Sequence, residues 1–218
     1  MVHTILNVEF PSNNYLNAKN SKYALAVNIT SKGVNNYRGF KSFFEIEELV
    51  KNVKHSNINR KCLFEVIKTQ MEVKPFFDID KSNFTPNEFN QFLNVFLEHF
   101  NIFFKTQITL NEMLVYIRDD TSNKELIKSS HIIINNHKIN FKLIRVFIDY
   151  FESITERRYI TENEICVIDK AIYTSNRIFC LPYNTKLKYI EQDINNPKYF
   201  IPYKEQADNI SDYFISYT

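Results

Sequence analysis

Apolar and polar residues follow two different periods along this chain. Phe43, Ile46, Leu49, Val50 and Val53 recur at helical spacing and predict an amphipathic helix over 43–54. Phe89, Phe92, Leu93, Phe96 and Phe100 form a second stripe. It predicts a helix over 86–104, with Thr85 as N-cap and Pro86 in the first turn. A third stripe, Phe141, Ile144, Phe147, Ile148 and Phe151, predicts a helix over 140–157. Short β-branched and aromatic runs predict strands at KYALAVNIT (22–30), YRGFKSF (37–43), CLFEVI (62–67) and KPFFDID (74–80). Others are MLVYIRD (113–119), SHIIIN (130–135), EICVID (164–169) and RIFCLPY (177–183). SKGVNN (31–36) reads as a turn and DTSNKELIKS (120–129) as a loop. Residues 1–20 read as a lead-in or short helix, and 190–218 as one strand with a frayed end. Strand pairs interleaved with two long helices indicate an α+β fold, an antiparallel sheet with helices on one face.

Composition narrows the chemistry. With 218 residues, 44% of them hydrophobic and 15% aromatic, the chain can bury a large core. No apolar run approaches the ~20 residues of a bilayer span. The start, MVHTILNVEF, lacks the regions of a secretory signal. An intracellular, soluble protein with no membrane partner is expected. The three cysteines, Cys62, Cys166 and Cys180, are far apart and lack C-x-x-C spacing, so neither a disulfide framework nor zinc is expected. The net charge of +2 gives no sign of a nucleic-acid partner. Glycine is scarce: Gly33 and Gly39 are the only two, too few for a P-loop or a G-x-G-x-x-G turn. A nucleoside triphosphate would have to be held by metals and side chains.

Three segments carry candidate chemistry. In KPFFDID, Asp78 and Asp80 are two apart and share one face of a strand. Paired carboxylates repel, and a hard divalent cation with oxygen preference relieves the repulsion. The competing reading is a strand that simply runs into the polar stretch Lys81-Ser82-Asn83. In SSHIII, Ser129 and His131 share a face and Lys128 precedes them, so hydroxyl, imidazole and ammonium could cradle phosphates without glycine. The competing reading is an ordinary strand start. In VIDKAIYTSNRIFCLPYNTK (167–186), Asp169 ends a strand, and Asn176, Arg177 and Lys186 supply amide and cationic donors for phosphate. The competing reading is a solvated hairpin.

In that order, FFDID, SSH and VIDKAIYTSNRIFCLPYNTK resemble the three motifs of the archaeo-eukaryotic primase superfamily, over residues 40–190. The likeness is to the primase–polymerases of eukaryotes and large DNA viruses. The third segment, with its Asp–Tyr–Asn-Arg–Phe–Leu–Lys pattern, is the most specific. The resemblance implies a split fold: an N-terminal αβ module (1–66) packed on an RRM-like catalytic module (67–218), with the active site in the cleft between them. It implies Asp78, Asp80 and Asp169 as catalytic ligands of two Mg²⁺ or Mn²⁺ ions. Ser129 and His131 would contact the incoming nucleotide's phosphates, with Lys128, Asn176, Arg177 and Lys186 assisting. Two positions depart from the family pattern. Cys180 stands where an Arg is usual, and Ile127 stands two before the Ser, where a Lys is usual, with Lys128 adjacent.

The implied activity is template-dependent DNA primase or polymerase action by two-metal nucleotidyl transfer in DNA replication. The implied partners are single-stranded DNA, NTP or dNTP, and a helicase domain or protein. The zinc-binding and helicase parts of some members are not in this sequence, so the chain is expected to be the N-terminal piece of a longer protein. Its Asn, Ile and Lys content suggests an AT-rich viral or mobile genome. A metal-dependent nuclease and a non-catalytic RRM-like module that stacks bases on Phe and Tyr are the rival expectations.

Overall fold

A computed structural model of the chain describes residues 2–5, 8–11, 21–29, 37–43, 45, 47–48, 63–68, 72–118, 125–155, 159, 167–174, 178–184, 198–204, 212 and 214–215. The architecture is mixed α+β. Two compact units divide the chain: Met1–Lys68 with Ser175–Phe200 and Asp208–Tyr217, and Thr69–Thr174 with Ile201–Ala207 and Thr218. Ser175–Phe200 therefore clusters with the N-terminal residues.

The first unit begins with a hairpin of β1 (Val2–Ile5) and β2 (Val8–Pro11). This corrects the expectation of a lead-in or short helix, because the segment has no apolar period and takes its shape from pairing with itself. A four-stranded sheet follows. It contains β3 (Tyr23–Ile29), β4 (Tyr37–Phe43), β5 (Leu63–Val66) and β11 (Ile178–Cys180), in the order β11-β5-β3-β4. Each lies within its predicted run. Buried Glu65 is satisfied locally: its Oε2 accepts from the Ile215 amide at 2.7 Å. The helix expected over 43–54 falls mostly outside the described residues, though Glu47 and Glu48 are helical.

The second unit carries β7 (Phe76–Phe84), helix α1 (Pro86–Phe104), β8 (Met113–Arg118), β9 (Ile127–Ile134) and helix α2 (Phe141–Ile154). A short ribbon of β6 (Glu72–Val73) and β10 (Ile139–Asn140) flanks them. The sheet order is β12-β8-β9-β7, with β12 at Phe200–Pro202 and the Tyr203 amide donating to the Val115 carbonyl at 2.9 Å. β7 and β8 are both antiparallel to β9, which lies between them.

Helix α1 spans the range its sequence predicts. Thr85 Oγ1 accepts from the Glu88 amide, and the Glu88 carboxylate accepts in return from the Thr85 amide, a capping box that satisfies otherwise orphaned donors. Its buried stripe (Phe89, Phe92, Phe96, Phe100) meets Phe77 of β7 and Phe147 and Phe151 of α2. Phe77 sits edge-on to Phe96 at 4.7 Å between centroids, and Phe96 edge-on to Phe147 at 5.4 Å. Such geometry sets the positive ring edge against the negative face of its neighbour.

Two strand boundaries differ from expectation in ways that shape the site. β7 does not end at Asp80. It continues through Lys81-Ser82-Asn83 to Phe84, because Phe84 is drawn into the aromatic cluster beside Phe92 and because Ser82 Oγ donates to the Ile127 carbonyl. β9 begins at Ile127, so the last residues of the expected loop 120–129 are strand. Asp80 opposes Ser129 and Phe84 opposes Ile127, so four steps on β7 face two on β9. This bulge sits directly after Asp80, a device often found where a strand re-aims side chains at a site. No helix among the described residues is long and apolar enough to cross a membrane.

Candidate metal centre

Strand alternation sorts β7 into two faces. Phe77 and Ile79 face the helices. Asp78 and Asp80 face the other way. Directly opposite residues in an antiparallel pair put their side chains on one face. Asp78 opposes His131, His131 opposes Tyr116, and Asp80 opposes Ser129. Ser129, His131, Tyr116 and the two aspartates therefore share the face away from the helices.

Asp169 joins them from the far edge of β7. Its amide donates to the Asp78 carbonyl, the Asp80 amide donates to the Val167 carbonyl (both 2.8 Å), and Ile168 bridges Ile79. EICVID was expected to be a strand to residue 169; within its described part, Val167–Asp169, the contact with β7 is this single bridge. The bridge is enough to set Asp169 opposite Asp78. A short 3-10 turn, Lys170–Ile172, then leaves the sheet, and Asp169 Oδ1 caps it by accepting from the Ala171 amide at 2.8 Å.

The result is a triad. One carboxylate oxygen from each of Asp78, Asp80 and Asp169 lies within 4.8 Å of the others. At such separation two unit charges repel by roughly 3–4 kcal/mol at an effective dielectric near 20. The Arg118 guanidinium offsets part of this, and the His131 imidazole stands beside Asp78. His131 Nε2 is 3.5 Å from Asp78 Oδ1, and Arg118 Nη2 is 3.9 Å from Asp80 Oδ1. Ser129 Oγ donates to the same Asp80 oxygen at 2.8 Å and fixes its rotamer. Lys170, next to Asp169, is committed elsewhere: its ammonium is 2.6 Å from Asp149 and also pairs with Glu152, both on α2. Burial works to lower its pKa, but those hydrogen bonds outweigh it and the net shift is upward.

The donor set is all carboxylate oxygen, hard and anionic. Oxygens that share one small hard cation at ~2.1 Å lie within about 4.2 Å of one another, close to the span seen here. The triad can hold a metal ion.

Of the other residues that the sequence suggested, Lys128 alternates to the opposite side of β9 from Ser129 and His131 and is exposed. Asn176, Arg177 and Lys186 lie outside the described residues, as do Cys62 and Cys166. Cys180 is a buried thiol on β11, opposite Phe64, and its Sγ donates to the Leu181 carbonyl at 3.7 Å. Sequence reasoning missed Tyr116 and Arg118. Tyr116-Ile117-Arg118 has the same polar-apolar-polar alternation as Asp78-Ile79-Asp80, and that shared period was the available signal. No protein-family model matches the chain, and no curated protein matches it.

Proposed function

We propose that this chain is the catalytic core of a template-dependent primase–polymerase that joins nucleotides by metal-dependent nucleotidyl transfer. One observation carries the reading: Asp78, Asp80 and Asp169 converge beside Ser129 and His131 on one sheet face. Two features lend further support. The first is the likeness of FFDID, SSH and VIDKAIYTSNRIFCLPYNTK to the motifs of the archaeo-eukaryotic primases. The second is chain order. Strand, helix, two strands, helix and the Val167–Asp169 segment lie with that segment, β7, β9 and β8 side by side, as in an RRM-like module.

The three carboxylates would hold a pair of Mg²⁺ or Mn²⁺ ions. When bound, such a pair supplies charge neutralisation at the attacking and leaving oxygens of an in-line displacement. The chain's own residues do the positioning. Ser129 keeps Asp80 in one rotamer, and the capped 3-10 turn keeps Asp169 beside Asp78. His131 and Ser129 bind and orient the triphosphate, assisted by Asn176, Arg177 and Lys186. Lys128, on the other side of the strand, reaches solvent instead. Single-stranded DNA is the template, NTP or dNTP the substrate, and a helicase domain or protein the replication partner.

The test is synthesis on primed and unprimed single-stranded DNA with each nucleotide type and Mg²⁺ or Mn²⁺. Template-directed products are expected, and none from the double variant Asp78→Ala, Asp80→Ala. Shortening of labelled DNA with metal and no nucleotides would instead establish a nuclease. DNA binding indifferent to metal and to the aspartates, with no synthesis, would establish a binding module.

A further inference from the structure

Arg118 ends β8, on the acidic face by its alternation with Tyr116, which opposes His131. Its side chain is only 13% exposed, yet its Nη2 lies 3.9 Å from Asp80 Oδ1, beyond hydrogen-bond length. That oxygen already accepts from Ser129 Oγ at 2.8 Å. Asp80 is thus held in place by the serine, and Arg118 supplies charge to it at longer range. A divalent cation on the same carboxylate would stand close to the guanidinium, and like charges in a partly buried site repel strongly. Metal and Arg118 therefore compete for Asp80. A guanidinium displaced from a carboxylate can turn to another anion whose paired oxygens fit its fork. Phosphate matches its donor fork bidentately.

Resting on the reading of Asp78, Asp80 and Asp169 as a metal centre, we propose that Arg118 is the site's phosphate-binding switch. It neutralises Asp80 before metal arrives, and it binds the phosphates of a triphosphate once metal holds the carboxylate. Metal binding then prepares the triphosphate contact, and the two ligands load in order. This also gives the face a phosphate-binding arginine from within the sheet, independent of Arg177.

Loss of a residue that merely orients Asp80 weakens both ligands. Loss of a switch moves them in opposite directions. The test uses the full chain, with Mn²⁺ binding followed by electron paramagnetic resonance and tripolyphosphate binding, at saturating Mn²⁺, by calorimetry. Arg118→Gln is expected to tighten Mn²⁺ by about three- to tenfold, since a nearby positive charge is gone. It is expected to weaken tripolyphosphate by about tenfold or more, since a charge-assisted bidentate contact is lost. Arg118→Lys, which keeps the charge without the fork, is expected to leave Mn²⁺ affinity unchanged and weaken tripolyphosphate by a smaller factor. Thermal unfolding checks that each variant folds. Weaker Mn²⁺ binding in Arg118→Gln, or unchanged tripolyphosphate binding in both variants, overturns the switch while the metal centre stands. A wild-type chain that binds no Mn²⁺ overturns the metal centre itself, and the switch with it.

Discussion

Phe77 and Asp78 are neighbours on β7, and they finish on opposite faces of one sheet. On the helix side, Phe77 is fully buried among Phe96, Phe100 and Phe147. On the other side, Asp78 is nearly as buried, yet it stands among carboxylates, His131 and Tyr116. The helix face is held by apolar area and ring geometry, which favour one packing. The acidic face is held by backbone pairing and offsets only part of its own repulsion. The sheet supplies the rigidity, and the chemistry rests on it without having to stabilise the fold.

That contrast can be broken from either side. The largest effect should come from the aromatic face. Phe96→Ala removes a ring at the centre of the cluster and should lower stability by about 3–5 kcal/mol, read by denaturant unfolding. A loss below ~1 kcal/mol would show that the helix face is not where the unit's stability resides.

From the acidic face the sign reverses. Asp78→Asn, Asp80→Asn or Asp169→Asn relieves repulsion and should leave metal-free stability unchanged or slightly higher. What each should remove is stabilisation by metal. Mn²⁺ at about 100 times its Kd should raise the wild type's unfolding free energy by about 2.7 kcal/mol. Thermal unfolding with and without Mn²⁺ reads the difference. Equal Mn²⁺ stabilisation in all three variants would place the ion elsewhere.

The smallest effect lies away from both faces, at the start of α1, and calibrates the others. Hydrogen bonds from the Thr85 amide and hydroxyl hold the Glu88 carboxyl below its ordinary pKa. A depressed carboxyl contributes stability that is fully present above its unfolded pKa. That contribution is lost as pH falls through the lower folded value. Wild type should therefore exceed Glu88→Gln in stability at pH 7, and the gap should close on acidification below about pH 4. A gap independent of pH would mean that the carboxyl's charge plays no part in the cap.

Local rules account for what could be read in advance. The bounds of α1 follow from Thr85, Pro86 and a five-residue apolar stripe, all within one segment. β4 was equally legible because its signals are short-range. The aspartate pair and the Ser-x-His pair each lie within a single strand, so alternation alone puts their members on a common face. The β1–β2 hairpin had no periodic signal, and the extension of β7 to Phe84 depends on rings from α1. Arg118 was marked only by its short alternation with Tyr116, which does not name a partner; Asp80 is 38 residues earlier, as the positions 80 and 118 show.

Sequence by itself determined the elements, the apolar stripes and the candidate carboxylates, since each depends on residues within a few positions of one another. Tertiary structure decided that Asp169 stands opposite Asp78, that His131 and Ser129 face the two aspartates, and that Arg118 rather than Lys128 shares their side of the sheet. Those relations depend on strand order and register. Register is set by which faces the rings of α1 and α2 bury, a sum over contacts distant along the chain that no local pattern encodes.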